Sequence, residues 1–198
     1  MLSRHQRDRI LVATAAIVAK RGYPNTTVEH IVKRASVSRA TFYEHFENRE
    51  DCLLATVDAV VSEIGRQVEE AAAAETEWPS QIRASLTALL EYVVANPSFA
   101  RTAIVESMTA GPVAVERYEK LLDIFLPGLA LGRSSEGATA GLPATLEDSI
   151  IGGIVWMLHQ RLLRNETDEI PGLLPTMLEF ALSPYLGEKQ AAAIAHRS

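Results

Sequence analysis

The stretch Thr26–Phe46 constrains the fold of this chain more than any other. Val28, Ile31, Val32 and Ala35 recur at helical spacing and make one apolar face. Thr26 or Thr27 supplies a hydroxyl that can accept a bond from an orphan amide at the helix start. Thr27-x-x-His30 lacks the glutamate of a capping box, so the spacing predicts a cap of ordinary strength. Ser36-Val37-Ser38 breaks the pattern. Ser38 then caps a second run through Ala40, Thr41, Phe42, Tyr43 and Phe46. Isolated helices below about 12 residues are marginal in water. These two must therefore pack on another element, with Val37 between them.

The second helix leaves Ser38, Arg39, Thr41, Tyr43 and His45 for solvent or a partner. Hydroxyls and bases of this kind suit phosphate oxygens and base edges in a DNA major groove. The same spacing also fits a plain helical hairpin inside a larger bundle, and spacing alone does not separate the two.

The string from Ile31 through Val37-Ser38-Arg39-Ala40-Thr41-Phe42-Tyr43-Glu44-His45-Phe46 to Glu50 resembles the DNA-binding signature of the TetR family of transcriptional regulators. With the first helix, Gly22-Tyr23 and Thr26-Thr27, the resemblance takes in roughly residues 5–55; the rest is similar only in helical layout. It implies an all-α fold: an N-terminal three-helix helix-turn-helix DNA-binding domain over 1–48, then a C-terminal helical ligand-binding and dimerisation domain over 49–198. It further implies that Thr27, Ser38, Thr41, Tyr43 and Arg49 hold phosphates. Arg39 and Ala40 are the better placed for base edges, guanine for Arg39 and a thymine methyl for Ala40, and His45 joins the exposed set. Phe42 and Phe46 are expected in the core. Two positions depart from the family pattern. Ser36 stands where the turn usually has glycine, and Arg49 where the family usually has lysine.

A net charge of −6 would argue against nucleic acid if taken whole. Its distribution argues for it. Residues 1–50 hold nine Lys/Arg and five Asp/Glu, a net +4, and residues 51–198 carry the remaining ten bases and twenty acids, a net −10. A basic head on an acidic body suits a chain that docks one end on phosphate. No apolar run reaches the roughly 18 residues of a membrane span, and the basic start is not followed by a signal-peptide core. The single cysteine, Cys52, excludes an internal disulfide; the expected compartment is the cytoplasm, and Cys52 reads as a small core residue.

The rest of the chain reads as helix. The first helix is expected over about Arg4–Arg21, with Ile10, Leu11, Thr14, Ile17 and Val18 inward and Gly22 closing it. A long helix should start near Asn48 and run to Ala71–Ala74, leaving the head as a lever into the body. Later helices start near Pro79, carry Phe99 to Met108 up to Gly111, and carry Tyr118 to Leu126 up to a kink or stop at Pro127-Gly128. Residues 132–142 read as loop. Eighth and ninth helices follow, over about Pro143–Arg164 and Ile170–Tyr185, and a short tenth over Glu188–His196. Gly152-Gly153 inside the eighth costs about 1 kcal/mol per glycine against alanine, which close approach of another helix would explain.

Trp156, Leu163 and Phe180 lie off the buried stripes of the eighth and ninth helices. Such extra apolar surface points to a partner, and the resemblance implies a homodimer through these two helices, about residues 143–185. Two heads related by a two-fold axis want two inverted half-sites in operator DNA. The body would hold a small-molecule effector, with Tyr92, Phe99, Met108, Tyr118, Phe125, Trp156 and His159 as candidate contacts. No phosphate loop, nucleophile elbow or His-Glu-x-x-His motif occurs, and the five histidines lack metal spacing. The sequence thus calls for no cofactor, no metal and no catalytic residue. The reading is a ligand-responsive repressor of transcription. The alternative is an all-helical small-molecule binding protein without operator binding.

Overall fold

The computed structural model describes residues 2–135 and 139–196, and among them every regular element is helical. The chain forms two compact units, Met1–Ser62 with Asn96–Leu121, and Glu63–Ala95 with Leu122–Ser198.

The first unit is built on α1 (Leu2–Arg21), α2 (Val28–Ala35) and α3 (Arg39–His45). Ile10, Leu11, Ala13, Ile31, Val32, Ala35, Phe42, Phe46 and Cys52 form its core, with Val28 and Val37 packed on the edge. Phe42 and Phe46 thus hold α3 in the core, as expected. Gly22 ends α1 with φ 77°, where a residue without Cβ is unstrained. Its N–H donates to the Val18 carbonyl over 2.8 Å. α4 (Arg49–Ala73) starts after Asn48, whose Oδ1 accepts the Asp51 N–H over 2.9 Å. Cys52 is fully buried. Thr14 Oγ1 already donates to the Ile10 carbonyl, so the thiol donates to Thr14 across 3.1 Å. Burial pushes that thiol up to about 12 and keeps it protonated.

The other flank of α1 is covered by α6 (Pro97–Arg101) and the turn of π-helix at Thr102–Glu106. Thr102 Oγ1 donates to the Ala15 carbonyl over 3.1 Å. The single helix expected here up to Gly111 is therefore broken, with a further 3-10 turn at Ser107–Thr109. α7 (Pro112–Leu122) follows, fastened by the Arg117–Asp58 ion pair at 2.5 Å.

The second unit contains α5 (Trp78–Ala95), α8 (Leu126–Ala130), α9 (Leu146–Leu163), α10 (Leu174–Leu186) and α11 (Glu188–Ala195). Pro127 does not stop a helix. It lies in the first turn of α8, where its missing N–H costs no bond. The ninth helix starts later than expected, because Thr167–Leu173 is 3-10 helix around Pro171. Of the loop-like stretch 132–142, residues 132–134 are 3-10 helix, and residues 136–138 lie outside the described residues. Trp78 packs edge-on against Tyr185, ring centroids 5.0 Å apart, and donates from Nε1 to the Gly128 carbonyl over 3.0 Å. A Cβ on Gly132 would lie 2.4 Å from that indole, so only glycine fits beneath it. Gly153 has the expected role: a Cβ there would fall 2.6 Å from the Phe180 ring. Gly152 meets nothing within 4 Å.

Candidate nucleic-acid interface

Two caps and a turn fix the helix pair. Thr27 Oγ1 accepts the His30 N–H, and His30 Nδ1 accepts the Thr27 N–H, both over 3.3 Å. The capping box expected to be missing is therefore present, with imidazole in place of carboxylate. α2 closes on Ser36, at φ 52° and ψ 49°. The Val37 N–H bonds the Val32 carbonyl over 3.1 Å, and the Ser36 N–H bonds Lys33 over 3.4 Å, the pairing of a Schellman close. Arg9 of α1 donates to the carbonyls of both Ala35 and Ser36. Ser38 caps α3: its Oγ accepts the Thr41 N–H over 2.9 Å and lies 2.9 Å from Thr41 Oγ1.

The outward face of this pair carries the residues that the sequence singled out. Thr27, Ser38, Arg39, Ala40 and Tyr43 are exposed, and Thr41 is half-buried beside them. Tyr43 is 57% exposed, with its ring edge-on to Phe42. Arg39 lies 3.9 Å from Glu29 of α2. Exposed Lys33 and Arg34 add positive charge on α2. Such a face can bond phosphates through hydroxyls and bases, and can present a guanidinium to a base edge.

Two of the sequence candidates are turned inward. His45 Nε2 is buried and has no hydrogen-bond partner among the described residues. Arg49 spreads over the Tyr23 ring, 4.2 Å from its centroid, and donates to the carbonyls of Tyr23 and Thr26. Its guanidinium secures the loop before α2.

Residues 10–56 match the family model described as bacterial regulatory proteins, tetR family. That segment belongs to the TetR family. It is 26% identical over 88 residues to the transcriptional activator FasR of Mycolicibacterium smegmatis, an alignment covering 44% of this chain and 40% of FasR. It is 27% identical over 137 residues to the transcriptional repressor KstR of Mycobacterium tuberculosis, covering 67% of this chain and 62% of KstR. The chain thus spans between two fifths and two thirds of these two relatives. A crystal structure of the transcriptional regulator FadR from Bacillus subtilis, in complex with stearoyl-CoA, superimposes with a TM-score of 0.80 at 19% identity. That likeness of fold covers 89% of this chain and 97% of FadR.

Seven residues stand as the sequence's candidates for contact with an effector. The seven candidates divide between the units: Phe99, Met108 and Tyr118 belong to the first, and Tyr92, Phe125, Trp156 and His159 to the second. Tyr118 and Tyr92 are buried, which raises both phenols above their ordinary range. Met108 and Trp156 are exposed. Trp156 stacks on His159, planes 6° apart and centroids 5.4 Å apart. In the second unit an open groove of about 350 Å³ runs between Ala71, Glu75, Arg83, Thr87, Ala88 and Glu91, and none of the seven lines it. Among the described residues no group of His, Cys, Asp and Glu could hold a metal ion. No helix there is long and apolar enough to cross a membrane.

Glu29, Arg9 and Glu106 were not singled out from the sequence. Arg9 and Glu106 act across long separations that no local pattern reveals. Glu29 carried a signal in its place in the first turn of α2, on a helix already read as DNA-facing.

Proposed function

We propose that the protein is a ligand-responsive transcriptional regulator, a repressor, that binds an inverted-repeat operator as a homodimer and leaves it when a small-molecule effector binds. The observation that carries this reading is the exposed set Ser38, Arg39, Ala40 and Tyr43 on a capped α3, within a head of net positive charge. Residues 1–48 act as the DNA-binding domain and residues 49–198 as the effector and dimer domain. Thr27, Ser38, Thr41 and Tyr43 hold phosphates, with His45 and Arg49 at the margin. Arg39 and Ala40 read bases. The protein works in the cytoplasm, away from membranes, and catalyses no reaction.

Dimerisation uses α9 and α10. Their outward side chains Trp156, Leu163 and Phe180 are exposed at 59%, 48% and 40%, on helices whose opposite faces are already buried. A two-fold pair of heads joins two weak, salt-sensitive contacts into one useful affinity. The effector lies in the body, against some of the aromatic residues named above, and favours a head spacing that misfits the operator. Moving that equilibrium from 1:99 to 99:1 takes about 5.5 kcal/mol of differential affinity.

The test is selection of duplexes from a randomised pool by the purified protein, followed by fluorescence anisotropy of the winner at several salt concentrations. An enriched inverted repeat with a negative log–log salt slope is expected. Absence of any enriched sequence, with only weak binding at low salt, would favour the alternative of an all-helical small-molecule binding protein.

A further inference from the structure

An acid stands beside the base expected to read guanine. Glu29 occupies the first turn of α2, and its carboxylate lies 3.9 Å from the guanidinium of Arg39, the first residue of α3. Both side chains are largely exposed, at 77% and 67%. An exposed pair of this kind adds little to stability. The first turn of a helix favours an acid through the dipole, but that does not call for a partner on the next helix. An anion on a surface offered to phosphates is also repelled by them. The dipole accounts for an acid in this turn, but neither it nor general DNA affinity accounts for its place beside Arg39.

Base recognition does account for it. In a G·C pair the major groove presents guanine N7 and O6 as acceptors and the cytosine N4 amino group as donor. Guanine O6 and cytosine N4 are bonded to each other and so lie about 3 Å apart. A guanidinium and a carboxylate 3.9 Å apart, both on exposed side chains, can reach those two groups with the opposite pattern, donor to acceptor and acceptor to donor. We propose that Glu29 is a specificity-determining residue: Arg39 and Glu29 together read one G·C base pair, Arg39 donating to guanine O6 and N7 while Glu29 accepts from cytosine N4. This rests on the operator-binding function proposed above.

The test measures binding of the full-length protein to its selected operator and to each single-base-pair variant, at one salt concentration. The proteins compared are wild type, Glu29→Ala, Glu29→Gln, Arg39→Ala and the double variant Glu29→Ala/Arg39→Ala. Glu29→Ala and Arg39→Ala are each expected to cut discrimination at the same base pair, by roughly fivefold or more. The double variant should lose little beyond Arg39→Ala, since partners in one contact are not additive. Glu29→Gln keeps the reach but adds an amide donor, and should shift preference there toward adenine. If Glu29→Ala and Glu29→Gln tighten every sequence about equally and leave the preference profile intact, Glu29 is only a repulsive charge. The inference then falls while operator reading by Arg39 stands. If Arg39→Ala also leaves the profile unchanged at every position, reading of bases by Arg39 itself falls, and the joint reader with it.

Discussion

The backbone N–H of Tyr23 donates to the carboxylate of Glu106 over 2.9 Å, joining residues 83 apart in the chain. Glu106 is 6% exposed, and the Arg101 guanidinium stands 3.8 Å away as counter-charge. The same Tyr23 lies beneath Arg49 and gives it a carbonyl acceptor. The loop that delivers Thr27 to the start of α2 is thus held by an acid from the π-helical turn and a base from α4.

Glu106→Ala leaves the Tyr23 N–H buried without an acceptor. Such a loss costs about 1–3 kcal/mol. Glu106→Gln keeps a carbonyl oxygen in reach and should lose clearly less. Urea unfolding measures both, and amide exchange at Tyr23 should rise in the alanine variant alone. Equal losses in the two variants would mean that the charge, and not the acceptor, is what matters.

His30 completes a capping box with a ring nitrogen, and this sets a conflict. Nδ1 accepts from Thr27 while Arg21 Nη1, itself only a donor, lies 3.3 Å from Nε2. A neutral imidazole accepts at one nitrogen and donates at the other, so both contacts cannot be hydrogen bonds at once. Glu at this position would accept from both Thr27 and Arg21 and suit the positive end of α2. His30→Glu is expected to raise stability by about 0.5–1 kcal/mol, and His30→Ala to lower it by a similar amount. A melt showing His30→Glu less stable than wild type would refute the conflict.

Ser36 sits in the left-handed region, where a side chain costs roughly 1–2 kcal/mol. Arg9 offsets part of that by bonding the carbonyls of Ala35 and Ser36. Ser36→Gly should remove the strain and leave the Arg9 bonds in place. A gain of about 1 kcal/mol is expected, or roughly 2–4 °C in Tm for a chain of this size. Arg9→Ala should cost about the same in wild type and in the Ser36→Gly background, since the bonds to both carbonyls persist, which a double-mutant cycle measures directly.

The head was legible because its signals are local. Thr27, Ser38 and Asn48 cap helices through bonds that span three residues, and the stripe of Ile31, Val32 and Ala35 faces the core as spacing requires. His30 escaped because a capping box is usually read as carboxylate or amide. The body was less legible. Pro127 reads in sequence as a kink or stop and Pro171 gives no distinct signal, although proline also opens helices and fits 3-10 turns. The π-helical turn at Thr102–Glu106 answers to tertiary bonds, Thr102 to Ala15 and Glu106 to Tyr23, that periodicity cannot display. Large apolar and aromatic side chains mark effector candidates in the sequence but say nothing of where folding leaves them; Trp156 is at the surface and Tyr118 is in a core.

Glu147 offers a pH test of the second unit. It is 6% exposed, and accepts from Arg133 Nε and Nη2, each over 2.7 Å, and from the Tyr185 hydroxyl over 2.8 Å. The Arg133 guanidinium, then the Tyr185 bond, outweigh burial and hold its carboxyl down at about 2. A carboxyl lower in the folded than in the unfolded state stabilises above the unfolded value, about 4.3 for glutamate. That contribution should fade as pH drops from about 4.5 through about 2. Glu147→Gln removes it at neutral pH, by about 2–3 kcal/mol. This is less than the loss for a fully buried pair because Arg133 keeps 33% of its exposure. Unfolding free energies measured from pH 6 to 2 should therefore converge for the two proteins at the acid end. Parallel curves throughout would place the acid-labile contribution on other carboxylates.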